Sequence, residues 1–165
     1  MIQKEVAHPF DPVWDKHSRV LILGSFPSVR SREVGFYYGH PQNRFWPLMA
    51  RLYGVAVPIS IPERRTLALQ NGIALWDVIQ SCLIIGSSDA SIRQAKPNDI
   101  AWLIHQAGIE RVFCNGQQSY RLYRQYCAPC CGMPATPLPS TSAANAAWSL
   151  DRLCEVWKQI VEQPV

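Results

Sequence analysis

Three segments of the chain combine residue types that can do chemistry. They are residues 24–28 (GSFPS), 37–46 (YYGHPQNRFW) and 138–142 (LPSTS). Short hydroxyls and free backbone N–H groups bind phosphate oxygens, although ordinary turn chemistry also explains serine and proline in loops. In the middle segment, Asn43 carries a side-chain amide, and His40 is the nearest titratable group. The serine-rich segments are compatible with phosphate binding, but neither of them alone identifies a site.

Several common site motifs are missing from the sequence. There is no G-x-x-x-x-G-K-[ST] phosphate loop and no G-x-G-x-x-G dinucleotide fingerprint. Residues 24–28 do not match G-x-S-x-G either, because Phe26 stands at the nucleophile position. The sequence thus disfavours a Walker-type NTPase, a standard dinucleotide enzyme and a hydrolase with a serine nucleophile.

Apolar runs and capping signals predict an alternation of strands and helices. Short apolar runs predict strands at 19–24, 73–79, 111–114 and 135–138. Helix-like spacing with Pro or Gly at the ends predicts helices at 43–53, 62–71, 97–107, 119–126 and 147–161, with Asn43 as the N-cap of the first. This alternation predicts a three-layer α/β/α fold with a small, mainly parallel four-stranded sheet.

The predicted sheet brings the chemical segments together. Ligands of such sheets bind outside the carboxyl ends of the strands, where the strand order reverses. The residues in or just past the ends of the predicted strands are 25–28, Asp77, 115–117 and 139–142, and all four ends are polar or glycine-rich. We therefore expect these four ends to line one site.

Length and composition indicate a single domain over residues 1–165, large enough to bury a core without metal or disulfides. No apolar run is long enough to cross a bilayer, and the N-terminus lacks the order of a signal peptide. We expect a soluble, cytoplasmic monomer with six reduced cysteines. Cys127, Cys130 and Cys131 form C-x-x-C with an extra thiol, but no second ligand pair follows, so no metal is expected.

Positive charge is concentrated in the part of the chain that holds two of these segments. Residues 16–65 contain eight basic and two acidic residues, a charge of +6, whereas the whole chain carries +4. Most of the basic residues are arginines, whose planar fork suits bidentate phosphate contacts. A polyanionic partner and a solvated basic face of no special purpose both fit this pattern.

Taken together, the segments resemble the uracil-DNA glycosylase superfamily. The matching pieces are LILGSFPSVRS, FYYGHPQNRFWPLM, GIALWDVI and PLPSTSAANA, and with the order of strands and helices they cover nearly the whole chain. The resemblance is strongest to the hypoxanthine (deoxyinosine) DNA glycosylase branch, which is related to the mismatch-specific uracil/thymine glycosylases. It implies a monofunctional DNA glycosylase that excises hypoxanthine or uracil from DNA in base excision repair, without a cofactor.

The resemblance also implies roles for individual residues. The implied base pocket consists of Gly24, Ser25, Phe26, Pro27, Tyr38 and His40. The implied DNA contacts are Ser28, Arg30, Arg32, Arg44, Ser140, Thr141 and Ser142. Phe26 stands where many members of the superfamily place a catalytic Asn or Asp, and in the hypoxanthine branch that role passes to the asparagine that is Asn43 here. A purely capping Asn43 and a purely structural His40 are the alternatives.

Three further points bear on function. The four lysines (Lys4, Lys16, Lys96 and Lys158) lie outside the three segments, so a Schiff base that would cut the strand is not expected. Related mismatch enzymes insert a bulky apolar residue where this chain has Ser142-Ala143-Ala144, which leaves the base-flipping strategy open. Two other functions remain: a non-catalytic α/β module that binds nucleotides or phosphorylated small molecules, and a thiol redox or metal protein that uses Cys127, Cys130 and Cys131.

Overall fold

Two sheets and their connecting helices make up the computed structural model of the protein, which describes residues 4–84 and 93–162. In chain order the elements are β1 (Lys4–Ala7), β2 (Val20–Gly24), α1 (Val29–Val34), α2 (Phe45–Tyr53), α3 (Ile61–Gln70), β3 (Ile73–Asp77), β4 (Ile79–Ile84), β5 (Arg93–Pro97), α4 (Ile100–Ala107), β6 (Arg111–Asn115), α5 (Gln117–Tyr126), α6 (Ala128–Cys131), β7 (Ala135–Leu138) and α7 (Leu150–Trp157). A 3-10 turn, Lys158–Ile160, follows α7.

The central sheet has four parallel strands in the order β3-β2-β6-β7. Every residue of β2 and of β3 is buried. Because successive side chains of a strand point to opposite faces, full burial means that both faces of the sheet are covered. The α/β fold with a four-stranded parallel sheet flanked by helices is thus confirmed.

The order of the strands defines where a ligand can enter. From β2 the chain goes to β3 on one side and then crosses to β6 on the other, so the winding reverses beside β2. In register, Gly24 lies opposite Asp77 and Asn115 lies opposite Leu138. The carboxyl ends of all four strands therefore meet at one edge, which is the expected location of a site in such a sheet.

A second, antiparallel sheet was not expected from the sequence. It has the order β1-β4-β5, and β4 begins at Ile79, only two residues after β3 ends at Asp77. The predicted strand over 73–79 was therefore too long, since the chain leaves the central sheet after Asp77. The predicted alternation of strand and helix was wrong here, because two further strands come before α4.

Several predicted helix ends were also wrong. The N-cap of α2 is Arg44 and not Asn43, and α4 begins at Ile100, three residues after Pro97, which ends β5. Asp99 caps α4 by accepting a hydrogen bond from the Trp102 N–H at 3.1 Å, and a side-chain acceptor of this kind sets a helix start. Residues 147–149 precede α7, which Ser149 caps.

The last helix closes the fold against the site edge. Trp157 of α7 is fully buried, packs its ring edge-on to Phe45 of α2, and donates its indole N–H to the carbonyl oxygen of Pro139 at 2.9 Å. Pro139 begins the loop after β7. One side chain thus joins the C-terminal helix, the start of α2 and the loop that carries the serine-rich segment.

This connection can be measured by replacing Trp157 with Phe. Trp157→Phe keeps an aromatic ring but removes the hydrogen bond to Pro139, and it leaves space beside Phe45. We expect the free energy of unfolding in urea to fall by about 1–3 kcal/mol. Trp148→Phe is the matched control, because Trp148 is only half-buried. Equal losses in the two variants would contradict the role assigned to Trp157.

Candidate active site

A cavity of about 630 Å³ opens at the carboxyl edge of the central sheet. Cavities of this size hold a small ligand or the base of a single nucleotide. The ends of all four strands line it, together with the segment before α2; the lining residues are Gly24, Ser25, Phe26, Pro27, Ser28, Ser31, Tyr37, Tyr38, His40, Gln42, Asn43, Asp77, Asn115, Ser140, Thr141, Ser142, Ala143 and Ala144. The expectation that the four strand ends share one site is confirmed by this arrangement.

The cavity collects the residues of all three chemical segments. Every residue of the implied base pocket lines it, as do Asn43, Ser28 and residues 140–142. Three of the implied DNA contacts, Arg30, Arg32 and Arg44, do not line it. The structure therefore separates the small polar residues from the arginines that the sequence placed beside them.

Asn43 is held rigidly by its amide oxygen. Its Oδ1 accepts hydrogen bonds from the Phe45 N–H at 2.9 Å and from the Thr141 hydroxyl at 2.8 Å. A backbone N–H and this hydroxyl are both donors here, so the oxygen must face them and the amide nitrogen must face away. Nδ2 makes no hydrogen bond within the described residues and is available to the cavity that Asn43 lines.

Thr141 connects Asn43 to the end of β6. The Thr141 side chain is fully buried, its Oγ1 accepts from Asn115 Nδ2 at 3.0 Å, and its N–H donates to Asn115 Oδ1 at 3.0 Å. Burial and complete pairing leave Thr141 no polar atom for a phosphate. Thr141 thus fixes the orientation of Asn43, and its own two donors are engaged within the protein.

The side chain of Arg44 is also engaged within the protein. Its guanidinium donates to the carbonyl oxygens of Ser142 at 2.8 Å and Asn145 at 3.1 Å, its Nε donates to Thr141 O at 3.4 Å, and Nη1 donates to Trp148 O. The planar fork of an arginine suits several fixed acceptors at once. Arg44 thus holds the loop after β7 in place, and four of its five N–H donors are directed at carbonyl oxygens.

Arg32 and Arg30 have different surroundings. The guanidinium of Arg32 lies over the ring of Phe26, 5.7 Å from its centroid, and its Nε is buried without a partner among the described residues. Arg32 thus braces Phe26, which lines the cavity. Arg30 is exposed and pairs with Glu33 of the same helix at 3.3 Å, a surface pair of the kind that contributes little to stability. Of the three, Arg30 is the most exposed.

Tyr38 is fixed in an unusual backbone conformation. Its φ angle is +55°, which is uncommon for a residue with a side chain and costs about 1–3 kcal/mol. One face of its ring stacks on Phe45 with centroids 4.0 Å apart, which leaves the other face for a flat ligand. Burial, followed by the charge of Asp77, raises the pKa of its hydroxyl well above the ordinary value, so Tyr38 stays neutral. That hydroxyl is buried beside the side chain of Asn115.

His40 lies at the rim and shapes the turn before α2. The ring is exposed, its Nδ1 accepts from the Gln42 N–H at 3.0 Å, and its backbone oxygen accepts from the Asn43 N–H at 3.0 Å. Because Nδ1 accepts, the ring N–H is at Nε2. The structural role that the sequence left open for His40 is therefore present, and Nε2 remains available for a ligand.

Asp77 lies at the cavity as expected, and it pairs with His8, a residue that the sequence did not place near the site. Nε2 of His8 lies 2.7 Å from Oδ2 of Asp77, and both side chains are buried, with 3% and 5% of their surface exposed. The other carboxylate oxygen packs on Gly24, where an added Cβ would lie 2.3 Å from Oδ1. Gly24 is thus required by the position of Asp77.

The pair was missed for a reason that lies in the fold. Asp77 was singled out as a strand end, but His8 lies 69 residues away and follows β1, a strand that the sequence did not predict. The backbone N–H of His8 donates to Gln80 O at 2.6 Å, so the unexpected antiparallel sheet positions the ring. The one available signal was a histidine just before a Pro-Phe pair, which is too common to identify a site.

The cysteine cluster lies apart from the cavity lining. Cys127 is buried, Cys130 exposed and Cys131 half-buried, all as free thiols around α6. Burial raises the pKa of the Cys127 thiol to about 12 and also raises that of Cys131. A raised pKa keeps a thiol protonated and poorly nucleophilic, which disfavours a redox role for these two.

In the part of the chain that the structure describes, no group of three or more His, Cys, Asp or Glu side chains is arranged to hold a metal ion. Within the same residues, no helix has the length and apolar character needed to span a membrane.

The hydrogen bonds of Thr141 predict the effect of removing its hydroxyl. Thr141→Val keeps the shape but leaves the amide of Asn115 and the oxygen of Asn43 each short of one partner. We expect the free energy of unfolding to fall by about 1–3 kcal/mol in urea titrations. Thr136→Val, on the exposed face of β7, should change it by no more than about 0.5 kcal/mol. A neutral Thr141→Val would show that Asn43 is not held in this way.

The thiol pKa values predict an order of chemical labelling. At pH 8, a pKa of about 12 leaves only about one Cys127 in ten thousand as thiolate. We expect iodoacetamide to modify exposed Cys130 first and to spare Cys127 until the protein is unfolded in urea, as read by peptide mass spectrometry. Early labelling of Cys127 in the folded protein would instead support a reactive thiol centre.

Comparisons with known proteins show which family the chain resembles. The profile of the uracil DNA glycosylase superfamily matches residues 12–162. A hypoxanthine DNA glycosylase of Methanosarcina acetivorans is 32% identical over 152 residues, covering 92% of this chain and 95% of the relative. One of Methanosarcina barkeri is 36% identical over 112 residues, which are 67% of this chain and 71% of that protein.

A solved structure gives the same result in three dimensions. The solution NMR structure of a Methanosarcina acetivorans protein, described as a candidate uracil DNA glycosylase, superimposes with a TM-score of 0.79 at 30% identity, covering 92% of this chain and 94% of the other. The resemblance inferred from the motif segments is thus confirmed over nearly the full length. The chain belongs to the uracil DNA glycosylase superfamily.

Proposed function

We propose that the protein is a monofunctional DNA glycosylase that excises a deaminated base, above all hypoxanthine, by hydrolysing its N-glycosidic bond. The observation that carries the proposal is the cavity at the sheet edge, where Asn43 is fixed by Thr141 and Phe45 and keeps its amide nitrogen available. The names of the two similar Methanosarcina proteins support hypoxanthine as the base.

The cavity suits a base that has been turned out of the duplex. Enzymes that act on a base must extrude the nucleotide and hold the base between flat or apolar side chains. Phe26, braced by Arg32, and Tyr38, backed by Phe45, are aromatic walls of the cavity. We assign both to the base pocket, together with Gly24, Ser25, Pro27 and His40.

Asn43 acts on water in this proposal through its amide nitrogen. Departure of the base leaves positive charge on the sugar, so positioning of a water molecule contributes more than strong activation of it. A water that accepts a hydrogen bond from Nδ2 keeps a second lone pair for attack on the sugar carbon. The two donors on Oδ1 prevent the amide from rotating, which keeps this water in one place.

DNA contacts are assigned to the serine-rich loops and to one arginine. Ser28, Ser140 and Ser142 lie on the lining of the cavity, and short hydroxyls bind phosphate oxygens well. Arg30 adds an exposed, salt-sensitive attraction. No lysine lines the cavity among the described residues, which supports hydrolysis without a Schiff base or strand cleavage.

We also propose that the protein acts as a monomer in the cytoplasm, without a cofactor. One chain supplies every residue of the cavity, so the site is complete in a monomer. The six cysteines are free thiols, in keeping with a reducing cytoplasm. No metal or organic cofactor enters any step of this hydrolysis.

The test uses duplexes that contain one hypoxanthine, uracil, xanthine or mismatched thymine. After incubation with the protein, alkali cleaves any abasic site, and the products are separated on a gel. We expect cleavage at hypoxanthine after alkali and intact strands without it. A protein that processes no lesion is a binding module, whereas cleavage without alkali would contradict monofunctional hydrolysis.

Replacement of Asn43 tests the assigned mechanism. Asn43→Ala should lower the single-turnover rate of hypoxanthine release by about a hundredfold, since a misplaced reactant costs about that factor. Asn71→Ala is the matched control, because Asn71 is an exposed asparagine at the end of α3. If Asn43→Ala and Asn71→Ala release the base at the wild-type rate, another residue positions the water.

A further inference from the structure

A second depression, of about 560 Å³, lies directly beside the cavity of the candidate active site. The two share Ser140, Ser142 and Ala144 of the loop after β7, so this loop forms the wall between them. The proposed hydrolysis makes no use of the second depression. We call it the Trp148 groove, and beyond the shared wall it is lined by Gln117, Pro137, Leu138, Pro139, Asn145 and Trp148.

The lining of the Trp148 groove suits a flat molecule with a polar edge. Trp148 contributes its indole ring, and the rest of the apolar lining is mostly proline and leucine at the end of β7. Asn145 donates through Nδ2 to the carbonyl oxygen of Ser140 at 3.0 Å, which leaves its Oδ1 as an acceptor, and Gln117 is exposed. An aromatic surface with amides beside it fits a nucleobase, since every base has a face that stacks and an edge that forms hydrogen bonds.

Trp148 is held in place for such a contact. The guanidinium of Arg152 lies over its ring, 4.2 Å from the centroid, and donates to the carbonyl oxygen of Ala147 at 2.9 Å. A base can therefore stack only on the other face of the ring. The backbone of Trp148 is fixed as well, because its N–H donates to Asn145 O at 3.1 Å and its carbonyl oxygen accepts from Arg44. The positive charge of Arg152 also favours a polyanionic ligand at this groove.

The wall between the cavity and the Trp148 groove can carry the backbone of a nucleic acid strand. Oγ of Ser140 accepts from the Ser142 N–H at 3.1 Å, and Oγ of Ser142 accepts from the Ala144 N–H at 3.2 Å. Since each oxygen accepts a backbone N–H, each hydroxyl keeps its proton for a further acceptor. A phosphate on these hydroxyls thus has one neighbouring nucleotide at the cavity and the other at the groove.

The opposite side of the cavity offers no comparable surface. A shallow groove there shares Ser28, His40 and Gln42 with the cavity, and no Phe, Tyr or Trp of the described residues lines it. Arg30 and Glu33 in this groove pair with each other at 3.3 Å. Stacking of a neighbouring base is therefore expected on one side of the cavity only.

We propose that the Trp148 groove binds the unpaired base of the nucleotide next to the one whose base enters the cavity. This inference rests on the proposed function and adds a second nucleotide-binding site to it. The neighbouring base must have left its partner, because a paired base is stacked within the duplex. The groove is therefore a site for single-stranded DNA. This also accounts for the small residues Ser142-Ala143-Ala144, since a strand without a partner needs no bulky wedge between its bases.

The first test removes the neighbouring base from the DNA. Single-stranded oligonucleotides carry one uncleavable 2′-fluoro-deoxyinosine, and the nucleotide on its 5′ side, on its 3′ side or on neither side is replaced by an abasic tetrahydrofuran. Fluorescence anisotropy gives the dissociation constants. We expect one replacement to weaken binding at least fivefold and the other to weaken it less than twofold. Equal constants for all three oligonucleotides, or equal losses at both positions, would overturn the proposal.

Two variants of Trp148 assign the loss to this ring. Trp148→Phe keeps a flat ring, whereas Trp148→Leu keeps only an apolar side chain. We expect the abasic neighbour to weaken binding at least threefold in Trp148→Phe and less than twofold in Trp148→Leu. Because oligonucleotides are compared within each variant, a change in the amount of folded protein cancels. Trp102→Leu, at an exposed tryptophan of α4, is the control and should keep the wild-type loss. A wild-type loss in Trp148→Leu would refute the role of the groove.

The form of the DNA gives a further measurement. Trp148→Leu should lower kcat/KM for hypoxanthine release at least fivefold on single strands and less than twofold on duplexes, in which the neighbouring base is paired. Equal losses on the two forms would contradict a site for an unpaired base. The proposed function fails separately: a protein that shows the neighbour effect in binding but releases no base has the groove without the glycosylase activity, whereas release without the neighbour effect refutes the groove alone.

Discussion

The contact between Arg44 and the loop after β7 is the interaction on which the site depends. The backbone N–H of Arg44 and its guanidinium bind carbonyl oxygens between Thr141 and Trp148, up to 104 residues further along the chain. Carbonyl dipoles that converge on a half-buried cation stabilise it without a carboxylate. Because Asn43 precedes Arg44 and Thr141 begins the bound loop, this contact also brings the Asn43 oxygen within reach of the Thr141 hydroxyl. The contact of Arg44 with the loop after β7 thus determines both the shape of the cavity and the orientation of the Asn43 amide.

The site divides its polar groups between the two ends of the cavity. At the open end, Asn43 presents a donor, because its oxygen is already paired. At the closed end, Asp77 presents an acceptor, because His8 engages its other oxygen. The first loop of the site has Phe26 where related enzymes place a polar residue, but Asp77 pairs in register with Gly24, two residues before Phe26. The neighbouring strand thus places a carboxylate beside the first loop.

The sequence predicted the parts of the molecule that local patterns determine. Apolar runs identified β2, β3 and β6 of the central sheet, the short segment 135–138 was correctly predicted as the fourth strand, and the rule for carboxyl ends located the cavity. Prediction from the sequence failed where a long-range contact determines the structure. β1 and β4 pair across about 75 residues, and neither has a periodicity that distinguishes a strand in the absence of its partner. The position of His8 follows from that pairing and could not be read from its neighbours. Asn43 was predicted as an N-cap, yet the chain begins α2 two residues later, because Asn43 bonds the Phe45 N–H while Arg44 takes the cap position.

The positive charge of residues 16–65 has a different significance in the structure than the sequence alone indicates. The basic stretch over 16–65 indicates a polyanionic partner, but several of its arginines are engaged within the protein: Arg44 on carbonyls, Arg32 on Phe26 and Arg51 on Asp151. Carbonyls and aromatic rings do not cancel the charge of a guanidinium, so Arg44 and Arg32 still contribute to the long-range potential that attracts DNA. Arg44 in addition directs most of its N–H donors at carbonyl oxygens of the protein. In the proposed function, the arginines therefore contribute mainly through long-range attraction, and the small hydroxyls at the cavity are assigned to contact the DNA backbone.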